Sequence, residues 1–212
     1  FMLIYVFMFG YVFKSKQQYF AIFVFIGITF WDFFNKCLIQ SVKLIKANKP
    51  IVSKVYIPKF ILILVKIGVN GFKMFISLLI IVAMLAVWRV PITYNVIYII
   101  PILMTLIVLV FGFSCYLLHY GVFVEDLSNV LNIALRFLFY LTGIFWSIMD
   151  RLPAPYNSYI GRCNPIAFLL TSARDCVIYG STPHRKLLLL WFVIGLIISA
   201  LGVRKIYKNE NS

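Results

Sequence analysis

The sequence predicts an all-α integral membrane protein with six transmembrane helices, and three observations predict it. The 212 residues are 63% hydrophobic with a mean hydropathy of +1.00, and only 12% are charged. A soluble domain has no interior large enough for so much apolar surface, so lipid must solvate most of the chain. The apolar residues fall in long runs, near the roughly 20 needed to cross a bilayer as a helix. The basic residues, which give a net charge of +14, cluster in the gaps between runs. There they set membrane orientation and do not signal a nucleic-acid partner.

The runs are 1–13, 19–42, 60–88, 95–118, 128–149 and 187–203. Each must be helical, because a chain in hydrocarbon has to satisfy its own backbone. The first, "FMLIYVFMFGYVF", lacks an initiator methionine, a basic leader and a small-residue cleavage site, and is expected to be the end of a longer span. Six spans put both termini on one side. The gap 43–59 carries five lysines and the tail carries Arg204, Lys205 and Lys208, whereas 14–18 and 89–94 carry two lysines and one arginine. The positive-inside rule therefore places 43–59 and both termini in the cytoplasm. Segment 150–186, with five basic residues, runs against the rule. Within it, Asn164 is an expected N-cap, Pro165 a first helical residue and Gly180 a stop. About fifteen helical residues reach roughly 22 Å, which suits an external re-entrant or lid helix better than a seventh span.

The sequence holds no phosphate-binding GxxxxGK[ST] loop, no HExxH, no GxSxG and no clustered metal ligands, so no cofactor is expected in this chain. Glu125 and Asp126 are the only adjacent acids, too few for a membrane-embedded transferase. Cys163 and Cys176 share the polar segment but are read as unpaired. Buried charge is costly in a membrane and points to function. Asp32 and Lys36, four apart, are expected to pair. Lys66, Asn70 and Lys73 recur on one helical face. With Arg136 the two lysines form a basic set suited to a lipid pyrophosphate head group in a canal. The cluster "RFLFYLTGIFWS" brings Phe137, Phe139, Tyr140, Phe145 and Trp146 together, and with Trp31 it offers planes on which sugar rings pack.

The stretch "GITFWDFFNKCLIQSVKLIKANKPIVSKVYIPKFIL" resembles the second helix and first cytoplasmic loop of ABC-2 type polysaccharide exporter permeases, through Gly27, Trp31, Phe34, Asn48, Lys54, Val55, Tyr56 and Pro58. "NPIAFLLTSARDCVIYGSTP" is similar to that family's external segment at Asn164, Pro165, Arg174, Gly180 and Pro183. The resemblance covers nearly the whole chain in order. It departs at Glu125–Asp126, where the family usually has Arg-Asp, so no role passes from that arginine. The family also starts with a cytoplasmic amphipathic helix, whose absence fits a missing N-terminal piece.

The resemblance implies a single permease domain over 1–212 that exports a lipid-linked glycan, of wall teichoic acid or O-antigen type, across the bacterial plasma membrane. It makes 43–60 a cytoplasmic coupling segment that meets an ATP-hydrolysing subunit through Lys49, Lys54, Tyr56, Pro58 and Lys59. Glu125 and Asp126 form a second contact. ATP and magnesium would belong to that partner, present in two copies. Six helices enclose too little space for a glycan, so a homodimer is expected. Abundant Phe, Ile, Lys and Asn lean toward an AT-rich Gram-positive genome and teichoic acid. An ABC-2 exporter of a drug or lipid is the alternative within transport, and a membrane enzyme or scaffold the alternative outside it.

Overall fold

The computed structural model describes residues 19–48, 50, 58–124, 126–147, 153 and 156–210. Among these residues all regular structure is helical: α1 (Phe20–Ala47), α2 (Lys59–Val87), a 3-10 turn (Tyr94–Tyr98) running into α3 (Ile99–Phe123), α4 (Leu127–Leu141), α5 (Tyr156–Cys163), α6 (Pro165–Val177) and α7 (Arg185–Glu210). Helices α1, α2, α3 and α7 are long and apolar enough to cross a membrane, so the chain is a multi-pass membrane protein. They answer to the expected runs 19–42, 60–88, 95–118 and 187–203. The run 1–13 lies outside the described residues.

The expected span 128–149 differs. Its helix, α4, stops at Leu141 after 15 residues, about 22 Å. The chain then turns through Gly143, whose φ of 68° lies in the left-handed region that glycine tolerates.

Helix α1 is central. Of its most apolar stretch 67% is buried, against 22% for α2 and 17% for α7, whose outer faces are therefore left to lipid or to another chain. Between apolar helices in lipid the hydrophobic effect supplies little attraction, so close backbone approach and interhelical hydrogen bonds do the joining. Both occur here. Asn70 on α2 is 3% exposed and donates from Nδ2 to Gln40 Oε1 on α1 at 2.9 Å. Helices α3 and α7 meet along small residues. A Cβ on Gly112 would lie 3.0 Å from the Ser199 nitrogen, and one on Gly202 would lie 2.7 Å from Cys115 Cβ. Ser199 Oγ donates to the Val108 carbonyl at 3.0 Å across the same seam.

Helix α6 begins as its sequence predicts. The Asn164 side chain accepts from the Ile166 and Ala167 backbone amides at 3.1 and 3.3 Å, and Pro165 occupies the first helical position. Gly180 has a φ of 64° and ends the segment as expected. Residues 166–170, 172–174 and 176–178 are all buried. A helix buried all round is a core element, and α6 packs against α1, α3 and the 3-10 turn. Cys163 is exposed and Cys176 buried, both as free thiols.

Candidate functional site: an aromatic and amide cavity between α1 and α4

Helix α4 presents Asn132, Leu135, Arg136, Phe139 and Tyr140 on one face, because spacings of three and four return to the same side. Trp31 and Asn35, four apart on α1, face them. Together these residues line an open cavity of about 550 Å³. The rings form a ladder. Trp31 meets Phe139 edge-on with centroids 5.5 Å apart, and Phe139 meets Tyr140 and Phe145 at 5.6 Å each. Trp31 and Leu135 are buried, Phe139, Asn35 and Asn132 are half-buried, and Arg136 and Tyr140 are exposed. Near-perpendicular rings give rigid apolar walls. The two amides add donors and acceptors, and Arg136 adds a positive charge. Such a surface suits a hydroxylated ligand with an apolar face.

Of the residues singled out in the sequence, the cavity unites Trp31, Arg136, Phe139 and Tyr140, with Phe145 edge-on to Phe139. Trp146 is half-buried in the turn after α4. Lys66 and Lys73 do not line the cavity. They sit on α2, half-buried and exposed, and Asn70 between them turns inward to Gln40. Asp32 and Lys36 pair as expected, Nζ to Oδ2 at 2.6 Å, both about half exposed. Pro58 is the N-cap of α2, Lys59 its first residue and Asp126 the N-cap of α4. Lys49, Lys54, Tyr56 and Glu125 lie outside the described residues. Sequence reasoning missed Asn35 and Asn132. Each stands four residues from a residue it did single out, Trp31 and Arg136, and that spacing was the available signal.

The frame of the site is held by Arg174. Its side chain crosses from α6 and is 3% exposed. Nε donates to the Phe23 carbonyl at 3.1 Å, Nη1 to Gly143 at 2.9 Å and Nη2 to Ile144 at 2.6 Å. The guanidinium also lies 3.4 Å over the Phe23 ring. Burial lowers its pKa to about 9, still above neutral, so the group stays charged. Gly27 makes the room, since a Cβ there would lie 2.6 Å from Nη2. One side chain thus ties α1, α6 and the turn that ends α4.

Next to it, burial raises the Asp175 carboxyl from an ordinary 3.8 to about 6, while Arg174 and His184 pull it down. A carboxyl whose folded pKa is raised binds more protons folded than unfolded between these values. Its contribution to stability is therefore complete below about pH 4 and is lost as pH rises through about 6. Asp175→Asn removes this dependence, with an expected gain of roughly 2–3 kcal/mol at pH 7 at about 1.4 kcal/mol per pKa unit. Thermal midpoints in detergent from pH 4 to 7 check this, and parallel profiles for the two proteins count against it.

Compared with known proteins, the chain is 24% identical over 204 residues to the O-antigen export system permease protein RfbA of Klebsiella pneumoniae. The alignment spans 96% of this chain and 78% of that protein. A second Klebsiella pneumoniae RfbA permease matches to the same extent. No protein-family profile matches the sequence. Over nearly its whole length, then, the chain resembles O-antigen export system permeases, as its own motifs implied.

Proposed function

We propose that this chain is the membrane-spanning subunit of an ABC transporter that exports a lipid-linked polysaccharide across the bacterial plasma membrane. The observation that carries the reading is the likeness, over 96% of this chain and 78% of each relative, to two O-antigen export permeases. In this reading a separate subunit hydrolyses ATP, two copies of each chain assemble, and both termini face the cytoplasm. The basic stretch 43–60 and Asp126 form the contact through which the ATPase acts. The cavity between α1 and α4 contributes to the glycan path, its rings stacking on sugar C–H faces and Asn35 and Asn132 bonding hydroxyls.

Depleting the chain from its host tests the proposal. Surface polysaccharide is expected to fall severalfold while its lipid-linked precursor accumulates in the membrane. Unchanged surface polysaccharide under full depletion would exclude an export role.

A further inference from the structure

Arg136 is a charge without a partner. Among the described residues it makes no ion pair, hydrogen bond or cation–π contact, and the ion pair found there joins Lys36 to Asp32. It stands nine residues into α4, about 13 Å along the helix axis. Toward the carboxyl end it would meet the buried turn Thr142, Gly143 and Ile144, which Arg174 fastens. The side chain is exposed and lines the open cavity. No carboxylate lines that cavity. Its other polar groups are the Trp31 indole, the amides of Asn35 and Asn132 and the Tyr140 hydroxyl, all donors; Asn132 Nδ2 spends one hydrogen on the Ser128 carbonyl at 2.8 Å and keeps a second. On the export reading this helix lies in the membrane, where a cation with no protein counter-ion is costly unless water or a ligand compensates it.

We propose that Arg136, flanked by Asn35 and Asn132, forms an anion-binding subsite within the cavity that takes an oxyanion, phosphate or carboxylate, carried by the passing glycan. The proposal rests on the export reading for its ligand and goes beyond it in requiring that the ligand be acidic. The guanidinium offers a planar fork of donors to such a group, and the amides complete its coordination. The aromatic walls then hold the adjoining sugar.

Binding is read from Trp31, which lines the cavity. In the full chain in lipid nanodiscs, with Trp88, Trp146 and Trp191 replaced by phenylalanine, Trp31 fluorescence is titrated with glycerol 3-phosphate and with glucuronate. Glycerol and glucose serve as uncharged counterparts. The charged probes are expected to bind and the neutral ones to bind at least tenfold more weakly. Arg136→Gln should weaken the charged probes about tenfold to a hundredfold, the loss that follows one charge-assisted hydrogen bond. Arg136→Lys should retain most of the affinity, because it keeps the charge. The two charged probes distinguish a phosphodiester glycan from one with acidic sugars. Equal binding of charged and neutral probes, no binding of either charged probe, or no effect of Arg136→Gln overturns the subsite. Each leaves the depletion result, and so the export reading, untouched. An Arg136-dependent anion site in a chain whose depletion leaves surface polysaccharide unchanged would retain the site and discard export.

Discussion

Replacing Arg174 with methionine is expected to destabilise the protein by several kcal/mol. The guanidinium is the donor to the Gly143 and Ile144 carbonyls in a turn shut off from solvent, and also reaches Phe23. A buried carbonyl left without a donor costs about 1–3 kcal/mol, and two lose theirs at once. Methionine fills the space but donates nothing. The thermal midpoint in detergent should fall markedly, and Cys176, buried on the same helix, should become reactive to alkylating agents while Cys163 reacts in both proteins. Arg174→Lys, with one nitrogen for three acceptors, should fall between. Gly27→Ala attacks the same contact from α1, and in the Arg174→Met background it should cost less than alone, because the 2.6 Å clash with Nη2 is gone and only the 3.1 Å contacts with Ile144 remain. An unchanged midpoint with an inert Cys176 would show that α6 is held by its apolar contacts.

A second large effect is expected at the crossing of α1 and α3. A Cβ on Gly121 would lie 2.5 Å from the Val42 carbonyl oxygen and 3.1 Å from its Cα. Those are backbone atoms of a helix and have no rotamer to yield. Gly121→Leu must therefore push the two helices apart, and overpacking of this kind costs about 1–3 kcal/mol even where side chains yield. The yield of monodisperse protein should drop severalfold. Gly68→Leu is the matched control: it also puts leucine for glycine in a long apolar helix, but nothing lies within 4 Å of its Cβ position. Equal yields from the two variants would remove the close crossing as a determinant of folding.

Hydropathy and turn chemistry made much of this architecture legible. The four long helices follow from runs of apolar residues, and the start of α6 follows from Asn164 and Pro165, whose roles are local. The end of α4 was not legible, because "LFYLTGIFWS" continues apolar without a break in pattern. What fixes the turn is a donor on Arg174, some thirty residues further along, and no local periodicity encodes such a contact. The same limit separated Lys66 and Lys73 from Arg136. Helical spacing shows which residues share a face, but not that the face of α2 carrying Asn70 belongs to Gln40. For the cavity, charge and aromatic clustering identified Arg136, Phe139 and Tyr140 on α4 and the resemblance identified Trp31 on α1, whereas Asn35, Asn132 and Leu135 join the site only through the pairing of the two helices.

The seam between α3 and α7 has a consequence for how the protein is made. About sixty residues separate Phe123 from Arg185. At about 5–20 residues per second, translation needs on the order of 3–12 s to cross them. Through that interval the groove at Gly112 that will receive Ser199 has no occupant from its own chain. The nearest finished α7 then belongs to the ribosome ahead on the same message. Correct pairing is thus a contest between a tethered helix that arrives late and an untethered one already present. The tether prevails through the high effective concentration that a short intervening chain imposes. Lengthening the connection before α7 should therefore favour exchanged pairs, although no contact in the finished fold would change.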